Sequence, residues 1–313
     1  MSREETMMTS APATPQSIAV IGLGSMGLGM ALSLLRAGHQ VAGYDVSPSA
    51  LEAFAADGGR AASSAAAAVE GADAVLSVVV NAAQTEALLF GENGVAAAMP
   101  EGAVFISSAT MDPDVVRRLA ARLESTGRLY LDAPISGGPV RAAKGELTVM
   151  ASGSPATFDR ARPCLEAIAL KVYELGDDAG AGAAFKMINQ LLAGVHIAAA
   201  CEAIAFAAKQ GLDLAKVYEV ITASAGNSWM FGDRVPHILD GDYRPKSAVD
   251  IFVKDLGIVQ DMARTAKFPV PISAAALQMF LAAAGSGMGR EDDASLARVY
   301  AALAGVNLPG HTA

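Results

Sequence analysis

A lysine lies inside one of the most apolar stretches of this chain. The segment GAAFKMINQLLAG covers residues 182–194, and it places two amides, Asn189 and Gln190, about one helical turn after Lys186. Lysine is almost never fully buried unless it is paired. Either its stem lies along the edge of a packed face while its amine reaches water, or the amine lines a ligand cleft. Residues 186 and 190 project from the same helix face, which Asn189 borders.

An amine in such surroundings suits proton transfer from an alcohol. The pKa of a free lysine is about 10.4, and loss of solvent or a nearby cation such as Lys254 lowers it. Removal of hydride from a carbinol carbon requires a base or a metal at the oxygen. The sequence predicts no metal site, because it has no HxH, HxxE or paired-carboxylate pattern, and we interpret His196 as a packed helix residue. The lysine is therefore the candidate general base.

A glycine-rich motif points to a nucleotide. The residues Gly22, Leu23, Gly24, Ser25, Met26 and Gly27 form GxGxxG, here called the glycine loop. The loop directly follows the strand-like run SIAVI (17–21) and opens a helical pattern that runs to Arg36. In that context the glycines permit a tight turn, and the helix N-terminus presents N–H groups to a pyrophosphate. The loop predicts dinucleotide binding.

The end of the next predicted strand, HQVAGYD (39–45), indicates which dinucleotide the chain binds. Asp45 lies eighteen positions beyond Gly27, where a carboxylate can accept hydrogen bonds from the adenosine ribose and repel a 2′-phosphate. The following residues VSPS offer no arginine for such a phosphate. This pattern favours NAD over NADP. The alternative is a turn aspartate that caps local backbone.

The first half of the chain alternates strands and helices. This alternation predicts an α/β fold with a Rossmann-type doubly wound sheet over residues 17–179. The β pattern vanishes after Gly180, and we expect an all-helical C-terminal domain over residues 180–309 that begins with a long interdomain helix (181–210). Residues 1–16 read as a disordered tail. Further strand candidates are residues 74–80, 103–107, 128–133, 146–152 and 171–175.

Polar residues follow several of these strands, at the sheet edge where open α/β folds bind ligands. Val80 and Asn81 follow the third strand, and Thr110 follows the fourth. Ser136, Gly137 and Gly138, here called the Ser-Gly-Gly segment, follow RLYLDA and offer consecutive N–H groups that suit a carboxylate. The alternatives are ordinary helix N-caps and a flexible glycine turn. Lys254 has its own alternative, a surface pair with Asp250 one turn earlier.

Composition excludes several classes of partner. The formal net charge of -9 argues against nucleic acid and anionic membranes. The longest uncharged run in the central helix is fifteen residues, between Lys186 and Glu202, whereas a membrane span needs about 20. The N-terminus lacks the apolar core of a signal peptide, and we interpret Cys164 and Cys201 as buried thiols. The sequence therefore predicts a cytoplasmic protein.

Four motifs in order resemble the β-hydroxyacid dehydrogenase family. They are the glycine loop, DAPISGG (132–138), the helix that carries Lys186 and Gln190, and Lys254-Asp255-Leu256. The resemblance extends from Ser17 to about Val306. Family members include 3-hydroxyisobutyrate dehydrogenase and tartronate semialdehyde reductase. Within the family, residues 132–153, 187–211 and 224–257 most resemble the L-threonate dehydrogenases, which oxidise C2 of a four-carbon sugar acid with NAD.

The resemblance implies a role for each matching residue. Lys186 would be the general acid/base, and the Ser-Gly-Gly segment would hold the substrate carboxylate. Thr110 and Lys254 would contact the cofactor near its nicotinamide, and Asn81 its ribose. Gln190 would contact the substrate, although commoner members carry asparagine at that position, and Asn189 could share the task. The segment SSAT (107–110) also departs from the commoner forms.

Three functional hypotheses remain open from the sequence. The first is an NAD-dependent oxidation of L-threonate. The second keeps the chemistry and changes the substrate, to that of tartronate semialdehyde reductase or 3-hydroxyisobutyrate dehydrogenase. The third is a non-catalytic NAD-binding regulator, which would have no need of Lys186. Imine reductase is disfavoured because those relatives generally replace this lysine. The resemblance also implies a homodimer or homotetramer.

Overall fold

The structure of the protein, a computed structural model, describes residues 15–310. The predicted disordered tail lies outside the described residues, except for its last two positions. The described residues divide into two compact units. The first comprises residues up to 109 together with 114–182, and the second comprises residues 110–113 together with those from 183 onward.

The first unit is built on a six-stranded sheet in which all paired strands are parallel. The strand order is β3-β2-β1-β4-β5-β6, so the direction of winding reverses between β1 and β4. This reversal is the topological switch point at which such sheets bind ligands. The strands are β1 (Ser17–Ile21), β2 (Gln40–Tyr44), β3 (Arg60–Ala61), β4 (Ala74–Ser77), β5 (Val104–Ser107) and β6 (Leu129–Asp132). The predicted Rossmann-type fold is confirmed.

Helices cover this sheet because its central strands consist mostly of buried apolar residues. Ile18, Val20, Leu76 and Ile106 are fully buried, as expected for parallel strands that face helices on both sides. The helices of this part of the chain are α1 (Gly27–Arg36), α2 (Pro48–Ala56), α3 (Ala65–Val69), α4 (Ala82–Phe90), α5 (Pro113–Glu124), α6 (Gly138–Lys144) and α7 (Pro155–Ile168).

A second sheet, with three strands, contains the last two predicted strands of the first unit. It consists of β7 (Ile135–Ser136), β8 (Leu147–Ala151) and β9 (Ala169–Glu174). Strand β7 pairs antiparallel with β8, and β8 pairs parallel with β9. Sequence analysis did not identify β7, because a two-residue strand has no measurable alternation. It also could not show that β8 and β9 form a sheet of their own.

Side chains of the first unit hold the chain where the next helix begins. The Oδ2 atom of Asp132 accepts hydrogen bonds from the Gly180 N–H (3.0 Å) and the Ser152 hydroxyl (3.2 Å). The Ser152 oxygen accepts in turn from the Gly182 N–H at 3.0 Å. A Cβ atom on Gly182 would lie 2.3 Å from the Met150 carbonyl oxygen, so only glycine permits this approach.

The regular elements that begin beyond Gly180 are helical. They are α8 (Ala181–Lys209), α9 (Leu214–Thr222), α10 (Trp229–Asp240), α11 (Val249–Thr265), α12 (Pro271–Ala283) and α13 (Leu296–Ala304). The long helix predicted over 181–210 is therefore present as α8. Its inner face joins the second core through Ile197, Cys201 and Ile204. The sequence analysis missed α10, which contains Pro236, a residue that ordinarily breaks a helix.

A buried ion pair ties α10 to the segment before α13. Two nitrogens of Arg234 donate to the two carboxylate oxygens of Asp293, at 2.5 and 3.1 Å. Asp293 is fully buried, and this burial raises the pKa of its carboxyl to about 7 although Arg234 opposes the rise. The neighbouring Asp292 accepts from the N–H groups of Lys246 and Ala294.

Two helical stretches of the described chain have the length and apolar character of a membrane span. They are Ala181–Lys209 and Pro271–Met288. The core helix of a soluble protein passes the same test. Helix α8 carries Lys186 and Glu202 within its length, and its inner face packs in the second core, so a core role accounts for its composition.

The second core predicts a specific loss of stability. Phe280 is fully buried and stacks on Phe252 with ring centroids 5.2 Å apart. We expect Phe280→Ala to destabilise this unit by about 3–5 kcal/mol, because it leaves a cavity in a packed core. Thermal unfolding followed by circular dichroism would measure the change. Leu303→Ala is the control, since Leu303 is 76% exposed. Equal melting temperatures for the two variants would contradict this account of the core.

Candidate functional site

Steric contacts explain the glycines of the glycine loop. Gly22 has φ +96°, and a Cβ atom there would lie 2.7 Å from the Val78 carbonyl oxygen. A Cβ atom on Gly27 would lie 1.8 Å from the Gly22 carbonyl oxygen, so the turn between β1 and α1 closes only with glycine at both ends. Gly24 differs, because a Cβ atom there would meet nothing within 4 Å. The space beside Gly24 is where a phosphate can approach the backbone.

The first turn of α1 adds an anion-binding end to this loop. Met26 at the N-cap makes no side-chain capping hydrogen bond, and the first turn contains no acidic residue. The Leu28 N–H of this turn donates to the Gly24 carbonyl oxygen at 3.1 Å, and the partial positive charge of the helix N-terminus favours an anion beside the loop. The loop and helix fit the pyrophosphate of a dinucleotide.

Asp45 is bonded to the glycine loop itself. Its Oδ2 atom accepts from the Leu23 N–H at 2.6 Å, and its Oδ1 atom accepts from the Ser47 N–H at 2.8 Å. The local capping role considered as the alternative is therefore present. Each carboxylate oxygen has two lone pairs, so both oxygens can also accept from ribose hydroxyls, and that role remains a prediction.

Val80 and Asn81 lie just beyond β4, which ends at Ser77 rather than at Val80. Asn81 is the N-cap of α4, and its Oδ1 atom accepts from the Gln84 N–H at 2.9 Å. The Gln84 side-chain oxygen accepts from the Val80 N–H at 2.8 Å. The N-cap alternative is therefore observed for Asn81. The predicted contact between its amide and a ribose stays a prediction.

The Ser-Gly-Gly segment contains the end of a short strand and the start of a helix. Ser136 belongs to β7 and pairs with Thr148 of β8. Gly137 (φ +137°) and Gly138 (φ +75°) both adopt backbone conformations that favour glycine, and Gly138 opens α6. A side chain at Gly137 would meet the stem of Arg141 at about 3.0 Å. The Ser-Gly-Gly segment is predicted to hold the substrate carboxylate, and in that role it is called the carboxylate cradle. Its backbone conformation at the two glycines is one that other residues rarely adopt.

Lys186 lies on α8 with only 8% of its surface exposed. Burial lowers the pKa of its amine to about 8; nearby Lys254 lowers the pKa further, whereas Asp255 opposes both effects. Loss of solvent disfavours the charged form of an amine. A substantial fraction of this lysine is therefore neutral near pH 8, as a proton acceptor requires. The alternative, in which the amine reaches bulk water, is wrong.

A buried carboxylate brings several predicted site residues of the second unit together. Asp255 is 1% exposed, and its Oδ1 atom lies 2.6 Å from the Lys254 amine. Its Oδ2 atom accepts from the Gln190 amide nitrogen at 2.5 Å. Asn189 donates to the Gln190 side-chain oxygen at 2.9 Å.

Lys254 has a second contact in this group. Its amine donates to the Thr110 carbonyl oxygen at 3.2 Å. The acid that pairs with Lys254 is therefore the adjacent Asp255 and not Asp250, the partner considered from the sequence. Thr110 and Lys254, both predicted to contact the cofactor, lie together.

Asp255 lies within the motif Lys254-Asp255-Leu256, and the sequence alone predicts no role for it. A signal was present, because Asp255 interrupts an apolar stripe that includes Phe252, Leu256 and Val259, all buried on α11. An acidic residue at a core position requires a partner. Its partners come from α8 and from the neighbouring residue of α11, and helix packing alone brings Gln190 within reach.

Within residues 15–310, no three histidine, cysteine, aspartate or glutamate side chains are placed to hold a metal ion. His39 accepts from the Gln16 N–H, and His196 is half-buried on α8. Cys164 and Cys201 are free and buried, and burial raises the pKa of the Cys164 thiol to about 12. Trp229 is 58% exposed at the start of α10.

Comparison with protein-family models assigns both halves of the chain. A model described as the NAD binding domain of 6-phosphogluconate dehydrogenase matches residues 17–176. A second model, described as the NAD-binding domain of NADP-dependent 3-hydroxyisobutyrate dehydrogenase, matches residues 180–300.

Curated relatives and solved structures resemble the chain over nearly its whole length. L-threonate dehydrogenase from Cupriavidus necator is 55% identical over 94% of this chain and 98% of the relative. The enzyme of the same name from Escherichia coli K12 is 48% identical over 94% of this chain and 96% of the relative. A crystal structure of 3-hydroxyisobutyrate dehydrogenase from Salmonella typhimurium has a TM-score of 0.86 and 49% identity, covering 90% of this chain and 99% of that one.

The geometry of Asp45 predicts how the chain distinguishes the two nicotinamide dinucleotides. We expect Asp45→Ser to reduce the preference for NAD over NADP about tenfold, because the charge that repels a 2′-phosphate is removed, and tenfold corresponds to about 1.4 kcal/mol. Fluorescence titration with each dinucleotide would give the ratio of dissociation constants. Asp57→Ser, at an exposed position after α2, is the matched control. An unchanged ratio in Asp45→Ser would mean that the ribose is recognised elsewhere.

Proposed function

Because the chain belongs to the 3-hydroxyisobutyrate dehydrogenase family of NAD-dependent hydroxyacid dehydrogenases, we propose that it oxidises L-threonate at C2 to 2-dehydro-L-erythronate. The observation that carries the reaction type is the buried Lys186, whose pKa of about 8 suits a general base. The choice of acid is supported by the L-threonate dehydrogenases, which reach 55% identity over most of the chain.

Each candidate site residue has a defined role in this proposal. NAD, when bound, supplies the carbon that accepts hydride from C2 of the substrate. The neutral amine of Lys186 accepts the proton of the C2 hydroxyl, so that negative charge does not build up on that oxygen. The Ser-Gly-Gly segment binds the substrate carboxylate through backbone N–H groups. The glycine loop and Asp45 bind the pyrophosphate and ribose of the dinucleotide.

The remaining predicted residues complete the proposed contacts. Thr110 and Lys254 contact the nicotinamide end of the cofactor, and Val80 and Asn81 line its ribose. The Gln190 amide donates one N–H to Asp255. Its second N–H is the group proposed to contact a substrate hydroxyl. Asn189 donates to Gln190 through its amide nitrogen, and its side-chain oxygen is proposed as a second contact for the substrate.

A second candidate substrate is 3-hydroxyisobutyrate. The Salmonella 3-hydroxyisobutyrate dehydrogenase structure supports it, at 49% identity. This acid carries its hydroxyl one carbon further from the carboxylate, so the two candidates differ in the distance between the carboxylate cradle and the base. Tartronate semialdehyde reduction stays a third possibility within the same chemistry.

A panel of acids tests the proposal directly. Purified protein is mixed with NAD and L-threonate, 3-hydroxyisobutyrate, glycerate or L-serine, and NADH is followed by absorbance. We expect L-threonate to give the largest kcat/KM. A larger value for another acid would change the substrate. Binding of NAD with no oxidation of any acid would favour the non-catalytic regulator.

We also propose that the protein is a cytoplasmic homodimer or homotetramer, with neither nucleic acid nor membrane as a partner. Phe185, Ile188 and Leu192 are exposed apolar side chains at helical spacing on α8, which supports self-association. Light scattering of the purified protein would give two or four times the chain mass of 31.8 kDa. A mass of one chain would contradict this part of the proposal.

The pKa of Lys186 predicts the pH dependence of the oxidation. The amine accepts a proton only when neutral, so kcat/KM for the acid should rise with pH through about 8 and then level off. Reduction of the keto acid needs the protonated amine, so its rate should fall over the same range. Initial rates in both directions between about pH 6 and about pH 10 would test this dependence. A rise in both directions would contradict it.

Replacement of the lysine tests its role as base. We expect Lys186→Met to lower kcat by about 10²–10⁴ while the dissociation constant of NAD changes by less than about threefold, because a general base acts on the chemical step. Lys216→Met is the control, since Lys216 is an exposed residue of α9 paired with Glu219. Retention of full activity in Lys186→Met would remove the amine from the mechanism.

A further inference from the structure

We propose that Asp255 is a positioning residue whose carboxylate holds Lys254 and Gln190 beside Lys186 and balances the charge of the two lysines. The inference rests on the proposed role of Lys186 as proton acceptor. It assigns a function to a buried residue that makes no contact with the reacting atoms in the mechanism given above.

The first support is geometric. Each oxygen of Asp255 has a different partner, the Lys254 amine at 2.6 Å and the Gln190 amide at 2.5 Å. The contacts continue on both sides, from Gln190 to Asn189 at 2.9 Å and from Lys254 to the Thr110 carbonyl at 3.2 Å. One side chain therefore connects the residues that we propose for substrate and cofactor contacts.

The second support is the distribution of charge. Among the charged groups that act on the amine of Lys186 are Asp255, which favours its protonated form, and Lys254, which disfavours it; both come from α11. The neighbouring side chains Asn189 and Gln190 of α8 are neutral amides. Removal of the carboxylate would leave the two lysine amines in a buried place without this counter-charge, and like charges disfavour ionisation of each other.

The third support is the depth of the carboxylate. At 1% exposure, Asp255 is shielded from water, and a buried charge acts on its neighbours far more strongly than an exposed one. An asparagine at this position would keep an oxygen for the Gln190 amide but would not neutralise Lys254. The proposed role of Asp255 therefore requires its negative charge and not only the shape of its side chain.

These supports predict opposite pH shifts for two substitutions. We expect Asp255→Asn to lower the pKa that governs kcat/KM by about one unit or more, because a charge that favours the protonated amine is lost. Lys254→Met should raise the same pKa, because the opposing cation is lost and Asp255 acts on Lys186 alone. Asp255→Asn should also raise the KM for NAD, since Lys254 loses its anchor. A residue with a purely structural role would change activity without these opposite shifts.

The same pKa can be measured without turnover. Acetic anhydride acetylates only neutral amines, and mass spectrometry of the Lys186 peptide gives its labelling rate at each pH in the intact protein. The titration of Lys186 should shift down in Asp255→Asn and up in Lys254→Met. This measurement separates the two proposals: shifted titrations with no oxidation of any acid would sustain the role of Asp255 and contradict the proposed reaction.

Asp293→Asn is the matched control for loss of a buried carboxylate. It removes a carboxylate partner of Arg234 in the same unit, and Asp293 is as deeply buried as Asp255. We expect it to lower the melting temperature and to leave the titration of Lys186 unchanged. If Asp255→Asn does not fold, Lys254→Met still tests the proposal by itself. A pKa of Lys186, measured by labelling in that variant, at or below the value in the unsubstituted protein overturns the proposal. Unshifted titrations in both variants also overturn it.

Discussion

A charge buried in a protein is tolerated only when opposite charges and hydrogen-bond donors surround it, and the proposed proton-transfer site depends on that constraint. Asp255 satisfies it by drawing Lys254 and Gln190 onto its two oxygens. Buried ion pairs seldom add net stability compared with apolar packing. Apolar packing on α11 does not require a carboxylate, and the proposed role of Asp255 beside the amine of Lys186 gives a chemical reason for one at this position.

A second carboxylate organises the residues of the first unit that are predicted to bind the nucleotide. Asp45 accepts the Leu23 N–H and so holds the glycine loop against the end of β2. The local bond and the proposed ribose contact do not compete, because each oxygen accepts more than one hydrogen bond. Asn81 behaves similarly, since it caps α4 and keeps its amide N–H groups. In both cases the capping role prepares the backbone on which the ligand would lie.

The fold was predictable where one segment carries the whole signal. The central strands β1, β4 and β5 are mostly apolar runs, and α8 is a long apolar helix with no internal proline. Elements were missed where a local signal is weak or misleading. Strand β7 has two residues, and α10 contains Pro236, whose cost the burial of Met230, Phe231 and Val235 offsets. The separate sheet of β8 and β9 depends on pairing, which alternation alone does not encode.

The sequence by itself determined the glycine loop, the helix of Lys186 and the alternation of strands with helices, because each depends on residues close together in the chain. It also identified Lys186 as the candidate base through its unusually apolar surroundings. Only the tertiary structure decided which acid pairs with Lys254 and where the Gln190 amide is bound. Gln190 and Asp255 are 65 positions apart. Their contact arises from the packing of α8 against α11. That packing depends on the side chains of the whole second core, which no local sequence pattern encodes.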